Sequence, residues 1–164
     1  MESGVSGPAA SAHGRIWTVE EANARLESLR EILPTLRAWV VRLRAVHGEL
    51  ERLAGFWGKE LESADHPDRD LKMRLDEEWR SLTRRLEGEV ARLHGEGIEV
   101  KDLDTGLVDF VGRLGREVVY LCWQRGEEHV GFYHALDGGF RNRRPIASGA
   151  RPAAQRPSGG ADPA

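Results

Sequence analysis

The sequence predicts an α+β fold, in which a long N-terminal helical hairpin packs on a small antiparallel C-terminal sheet of three to four strands. Three observations predict it. Apolar residues repeat with heptad spacing over residues 26–57, and a second apolar helical stripe covers residues 71–93. After Gly97 the spacing changes to that of short strands separated by turns. We therefore assign residues 15–96 to the hairpin and 97–146 to a β-meander.

The first helix begins after Thr18, which can cap the free amides, and Glu21 lies three residues later, as a capping box requires. Pro34 lies inside the apolar pattern. Because proline lacks an amide hydrogen and clashes with the preceding turn, we expect a kink there, or a short helix followed by a longer one. The apolar seam has two lines, Leu26, Leu33, Val40, His47 and Ala54, and Leu29, Leu36, Leu43, Leu50 and Trp57.

A second helix follows a break at residues 64–68 and ends near His94, where Gly95 and Gly97 stop it. Two long amphipathic helices with a short link favour an antiparallel hairpin. Both apolar stripes are too wide for two helices to bury, so we expect the sheet or a second subunit to cover the rest. The second stripe consists of Leu71, Leu75, Trp79, Leu82, Leu86, Val90 and Leu93.

The predicted meander has a short strand from Ile98 and further strands over residues 107–111, 116–124 and 129–134. Residues 112–115 are predicted to form a hairpin loop, because they include two glycines. The connection between the last two strands is predicted to be the four-residue loop 125–128.

That loop length fixes a register, with Gln124 opposite His129, and paired residues share a face. The register places His134 on one face of the sheet and Cys122 on the other. Both faces are rich in apolar side chains, and helices can cover only one of them. We expect the other face to be covered by the segment after His134, by another chain or by a ligand.

Composition narrows the class of protein. Charged residues make up 31% of the 164 residues, and the net charge of −3 excludes a strongly basic nucleic-acid binder. A single cysteine cannot form an internal disulfide, and no apolar run is long enough to span a membrane. We therefore expect a cytoplasmic protein with no membrane or nucleic-acid partner. Residues 1–14 and 147–164 are predicted to be disordered, which leaves residues 15–146 as a single α+β domain.

Five side chains of the β region are candidate ligand-binding residues: Asp109, Cys122, Glu127, His134 and Arg143. Cysteine, histidine and carboxylate together are ligands that zinc accepts, and a cysteine beside a histidine can act as a nucleophile. No paired metal-ligand spacing is present, so we expect no metal and no cofactor. A cysteine in an apolar strand is usually a buried core residue. Asp109 and Arg143 are predicted to form a buried ion pair that ties the C-terminal segment to the sheet.

Four phrases of the sequence occur in the order of a known family: WTVEEANARL, GIEVKDLDTGLVDF, GREVVYLCWQRGE and FYHALDGGFRNRRPI. In this combination, over residues 15–146, the chain resembles a bacterial family known as domain of unknown function 2203. The resemblance implies a helical N-terminal half and a β-rich C-terminal half. It implies no reaction, substrate or partner.

Two functions follow from these observations. The first is a non-enzymatic protein-interaction or structural module that acts as a homodimer, because one chain cannot easily bury its apolar surface. The second is a small-ligand- or metal-binding enzyme that uses the polar residues of the β region.

Overall fold

The computed structural model describes residues 14–147, in which two long helices precede a five-stranded antiparallel sheet. The predicted α+β fold is confirmed, with one strand more than expected. The predicted disordered tails, apart from Gly14 and Ala147, lie outside the described residues. The elements are α1 (Val19–Trp57), a 3₁₀ turn (Gly58–Glu62), α2 (Arg69–Gly95), β1 (Ile98–Asp102), β2 (Leu107–Leu114), β3 (Glu117–Gln124), β4 (Phe132–His134), a second 3₁₀ turn (Phe140–Asn142) and β5 (Arg144–Pro145).

The start of α1 has the predicted capping box. The Glu21 amide donates to Thr18 Oγ1 at 3.2 Å, and the Thr18 amide donates to Glu21 Oε2 at 2.9 Å. Each side chain thus satisfies an amide that has no partner within the helix.

Pro34 does not divide α1, which is a single helix of 39 residues. The expectation of two separate helices is therefore wrong. Pro34 lies on the exposed side of α1, and because it has no amide hydrogen it cannot donate the helical hydrogen bond to the Arg30 carbonyl.

The seam of α1 follows the predicted heptad only in its first half. Leu26, Leu29, Leu33 and Leu36 are buried, but farther along Val46 is buried instead of the predicted His47. A straight helix has 3.6 residues per turn, so a seam with a 3.5-residue period drifts around it. The His47 ring is exposed and lies 5.5 Å from the ring of Trp79 on α2.

The sheet order is β1-β2-β3-β4-β5, and every neighbouring pair is antiparallel. β2 continues through Gly112 to Leu114, so the predicted hairpin loop over residues 112–115 is wrong, and the turn lies at Gly115 and Arg116. Gly112 serves close packing. A Cβ atom there would lie 2.5 Å from the Leu121 side chain and 2.9 Å from the Trp17 carbonyl oxygen.

Trp17 joins the sheet beside Gly112. Its amide donates to the Val111 carbonyl at 2.8 Å, and its carbonyl accepts from the Arg113 amide at 3.0 Å. The indole Nε1 donates to the Glu96 carbonyl at 2.7 Å, and the ring packs edge-on against Phe110. The start of the described chain is thereby fixed to both the sheet and the end of α2.

The predicted register of β3 and β4 is wrong by one residue. Tyr120 lies opposite His134, and Cys122 lies opposite Phe132. The strand predicted over residues 129–134 is reduced to β4, Phe132–His134, because residues 125–131 form a longer loop than expected. A shift of one residue exchanges the two faces of a strand. His134 therefore lies on the same face as Cys122.

One face of the sheet packs on the helices and forms the main core. Trp123, Phe110 and Leu121 from the sheet are fully buried there against leucines of α1. Val130 belongs to the same core, and its amide donates to Asn23 Oδ1 at 2.7 Å, which ties the long loop to α1. We call the opposite side the outer face; it carries Asp109, Tyr120, Cys122, Phe132 and His134.

Candidate functional site

The outer face holds three of the five candidate residues at its centre. Asp109 on β2 lies directly opposite Cys122 on β3, and His134 on β4 lies opposite Tyr120. Asp109 and His134 are each 3% exposed and Cys122 is 0% exposed. The sequence prediction that Cys122 and His134 lie on different faces is wrong, because it rested on the shifted register.

Asp109 and His134 form a buried pair that reaches across β3. His134 Nε2 lies 3.1 Å from Asp109 Oδ2, and His134 Nδ1 lies 2.9 Å from the Ala135 carbonyl oxygen. A carbonyl oxygen only accepts, so Nδ1 carries a proton. The contact with Asp109 needs a second proton, on Nε2 or on the carboxyl.

The Cys122 thiol lies between two charged groups. Burial is the main cause that raises its pKa to about 12, the negative charge of Asp109 acts in the same direction, and the positive charge of Arg143 opposes both. A thiol with this pKa is protonated near neutral pH, and the protonated form is a poor nucleophile and metal ligand. The arrangement does not suit covalent catalysis.

Arg143 fastens the C-terminal segment over the outer face. Its guanidinium carbon lies 4.1 Å from the centre of the Phe132 ring and 4.3 Å from that of Phe140. Arg143 Nη1 lies 2.8 Å from Glu127 Oε1, and the two side chains form an ion pair. The contact does not count as a hydrogen bond, and Nη1 makes none with any other described residue. The predicted ion pair with Asp109 is wrong, because Asp109 pairs with His134 instead.

Glu127 organises the loop between β3 and β4. Its Oε2 accepts from the Gln124 amide at 2.9 Å, and its carbonyl accepts from the Trp123 indole at 3.0 Å. Because Oε1 faces Arg143, both carboxylate oxygens are engaged within the chain.

A second polar contact, which was not predicted, lies on this side of the sheet. The Tyr120 hydroxyl donates to Glu99 Oε1 at 2.7 Å, and the Tyr120 ring lies 5.3 Å from the His134 ring. Burial and the neighbouring Glu99 raise the pKa of Tyr120 to about 12. The signal was available, because alternation along β1 and β3 places both side chains on the outer face.

A cavity of about 380 Å³ lies where β3 begins and β4 ends. Of the five candidate residues, His134 alone lines it, and both nitrogens of that ring are already engaged. Its polar walls come mainly from residues that the sequence did not single out. They are Glu117, Tyr133, Asp137, Asn142 and Arg144.

A larger groove of about 780 Å³ lies at the far end of the hairpin, between the end of α1 and the start of α2. Phe56 beside it is 78% exposed. The apolar part of the wall consists of Leu53, Phe56, Trp57, Leu71 and Leu75.

Over residues 14–147 no group of three or more histidine, cysteine or acidic side chains is placed to hold a metal ion. Within the same residues, neither helix combines the length and the hydropathy that crossing a bilayer requires. The buried polar residues of the outer face are paired with one another, with the backbone or with the C-terminal segment.

These features define a small α+β protein in which a helical hairpin covers one face of an antiparallel sheet and the chain's own C-terminal segment lies against the other. Residues 15–146 match the family model described as an uncharacterized conserved protein (DUF2203), and the chain belongs to that family. The resemblance seen in the sequence is thus confirmed. The chain has no significant match among curated proteins or solved structures.

Proposed function

We propose that the protein is a non-enzymatic protein-interaction or structural module that acts as a homodimer. The observation that carries this proposal is apolar surface on the distal half of the hairpin, beyond the leucines that pack on the sheet. Phe56 is 78% exposed and Val41 51%, and both lie on α1. Apolar side chains gathered on one element typically mark an interaction site.

The apolar groove at the hairpin end adds support. Two helices bury only the stripes that face each other, and helical hairpins commonly complete their packing as larger bundles. Here Leu53, Trp57 and Leu71 remain half-buried around the groove. Association of a coiled-coil type, with further helices against the hairpin, would cover them.

The state of the polar residues supports a module without catalysis. Asp109 pairs with His134, and Glu127 pairs with Arg143. Cys122 is a buried free thiol, which suits a cytoplasmic location because that compartment keeps thiols reduced.

The alternative, a ligand-binding enzyme, has less support. The polar cavity of about 380 Å³ favours a small ligand. However, Asp109, Cys122, Glu127 and Arg143 do not line that cavity, and His134 offers it no free nitrogen.

Sedimentation equilibrium of the full chain tests the homodimer. We expect the average mass to rise toward twice the 18.3 kDa of one chain as the concentration increases through the micromolar range, with dissociation on dilution. The mass of a single chain throughout that range would contradict the proposal.

A further inference from the structure

A second stripe runs along α1, apart from the seam that faces α2, and it consists of small or apolar residues except for Arg52. Its members are spaced alternately by four and three residues, as in a coiled-coil seam. All are exposed except Gly48, which is half-buried. This outer stripe consists of Pro34, Ala38, Val41, Ala45, Gly48, Arg52 and Gly55.

The two glycines of the outer stripe have no packing role within one chain. Gly48 and Gly55 lie inside α1, where glycine weakens a helix. A Cβ atom at either position would meet nothing within 4 Å. Together with Ala38 and Ala45 they leave room for a second helix to approach closely, because the distance between packed helices depends on the side chains at the contact.

The ends of the outer stripe have complementary shapes. Phe56 projects beside one end, and at the other end lies a groove of about 330 Å³. About 20 residues of helix separate them, or roughly 30 Å at 1.5 Å per residue, so Phe56 cannot fill the groove of its own chain. The groove is lined by Pro34, Arg37, Ala38, Val41, Arg42, Ala45 and Arg125.

The charges that flank the outer stripe change sign along it. Arg42 and Arg44 lie toward its start, and Glu49 and Glu51 lie toward its end. The side chains of Arg44 and Glu51 are both 68% exposed, and the ion pair of Arg44 with Asp104 is 3.9 Å long. Arg42 is held by Glu78 of its own chain, to which it donates two hydrogen bonds at 2.6 and 2.8 Å. A second helix running in the opposite direction would place Glu51 of one chain against Arg44 of the other.

We infer that two copies of this chain pair through their outer stripes, with the two α1 helices antiparallel and Ala45 opposite the partner's Gly48. This inference rests on the proposed homodimer and names its surface. In this register, the number of a residue in one chain and that of the residue facing it in the partner add to about 93, as for Ala45 and Gly48. Arg44 then faces the partner's Glu51, as flanking positions do in antiparallel coiled coils.

Phe56 enters the groove between Pro34 and Ala38 of the partner subunit in the same register. The twofold axis repeats each contact, so one outer stripe supplies both the projecting ring and its groove. Such self-complementarity favours a second copy over an unrelated protein. One pair of helices about 30 Å long buries less than a standard interface, and we expect a dissociation constant in the micromolar range.

A charge exchange tests the register. Arg44→Glu and Glu51→Arg each place like charges opposite one another at two symmetric positions. We expect each single variant to raise the dimer dissociation constant about 10-fold and the double variant Arg44→Glu/Glu51→Arg to restore it to within about 3-fold. Both positions are exposed, and far-UV circular dichroism verifies that the helices remain intact.

Packing variants test the surface with matched controls. We expect Gly48→Leu and Phe56→Asp to yield monomers by sedimentation equilibrium. Gly88→Leu and Met73→Asp should leave the dimer unchanged, because Gly88 is an equally open helical glycine and Met73 an exposed apolar residue on α2.

The outcomes separate the two proposals. A native chain that is a monomer at micromolar concentrations overturns both the homodimer and its surface. A native dimer that survives Gly48→Leu, Phe56→Asp and both single charge changes overturns the outer stripe and leaves the homodimer in place. Loss of the dimer in the single charge variants without recovery in the double variant overturns the antiparallel register.

Discussion

Cys122 shows how strongly one residue depends on its surroundings. The thiol is buried, and burial together with Asp109 raises its pKa from the ordinary 9.0 to about 12. The protonated thiol is therefore favoured in the folded protein. Arg143 lies on the other side and only partly offsets the effect.

We predict that stability falls as pH rises from about 9 to 12, and that Cys122→Ala reduces this fall. Below that window both states keep the thiol proton, whereas within it the unfolded chain loses the proton and the folded chain retains it. Deprotonation thus favours the unfolded state. Thermal melts of the native and variant chains across this pH window measure the difference.

Tyr120 titrates in a similar window, so the comparison of the two chains, not the native curve alone, isolates the thiol. An identical loss of stability in the native chain and in Cys122→Ala would contradict the burial of the thiol.

At the scale of elements, the docking of Trp17 beside β2 depends on Gly112. The two hydrogen bonds of the Trp17 backbone bring it so near that a methyl group at residue 112 would meet both Trp17 and Leu121. Overpacking of this kind typically costs about 1–3 kcal/mol.

We predict that Gly112→Ala lowers the free energy of unfolding by about 1–3 kcal/mol, measured by chemical denaturation. Gly88→Ala is the matched control. It has open space around it, and it should stabilise the protein by about 0.5–1 kcal/mol because alanine favours helix. A Gly112→Ala chain as stable as the native one would mean that Trp17 does not dock there.

The helices were the elements that the sequence predicted best. Thr18 with Glu21 marks the start of α1, and the stripe of α2 ends where the glycines begin, because caps and helical periodicity are local signals. Gly112 was misassigned to a turn because glycine also serves close packing in strands, and only the tertiary neighbour Trp17 distinguishes the two uses.

The five candidate residues are polar residues of the β region, but their pairing was not predictable from the sequence. Whether Cys122 and His134 lie on the same face depends on the register of β3 against β4, because a shift of one residue exchanges the two faces of a strand. The loop between these strands is shaped by two local contacts of Glu127, with Trp123 and Gln124, and by the hydrogen bond that the Val130 amide donates to Asn23 Oδ1, which is distant in sequence.

For the molecule as a whole, the C-terminal segment lies against the outer face of the sheet, which the helices leave uncovered. The second face of the sheet was expected to be covered by the segment after His134, by another chain or by a ligand, and the first of these is present. Arg143 holds the segment through its contacts with Phe132, Phe140 and Glu127. The sheet is thereby enclosed on both sides within one chain.

We predict that Arg143→Ala lowers the free energy of unfolding by about 1 kcal/mol, because it removes both the packing of the guanidinium and the partner of Glu127. It should also make the native Cys122 thiol react faster with an aromatic disulfide reagent. Exposed Arg141, two residues earlier, gives the control, and Arg141→Ala should change neither quantity. Equal thiol reaction rates in the two variants would show that Arg143 does not shield the outer face.

The position of Trp17 also has a consequence for synthesis on the ribosome. This residue emerges early, yet its indole bonds to the Glu96 carbonyl, 79 residues later, and its backbone bonds to strand residues made later still. Trp17 therefore cannot dock until β2 has left the exit tunnel. Closure of the protein is a late event, governed by contacts between distant parts of the chain.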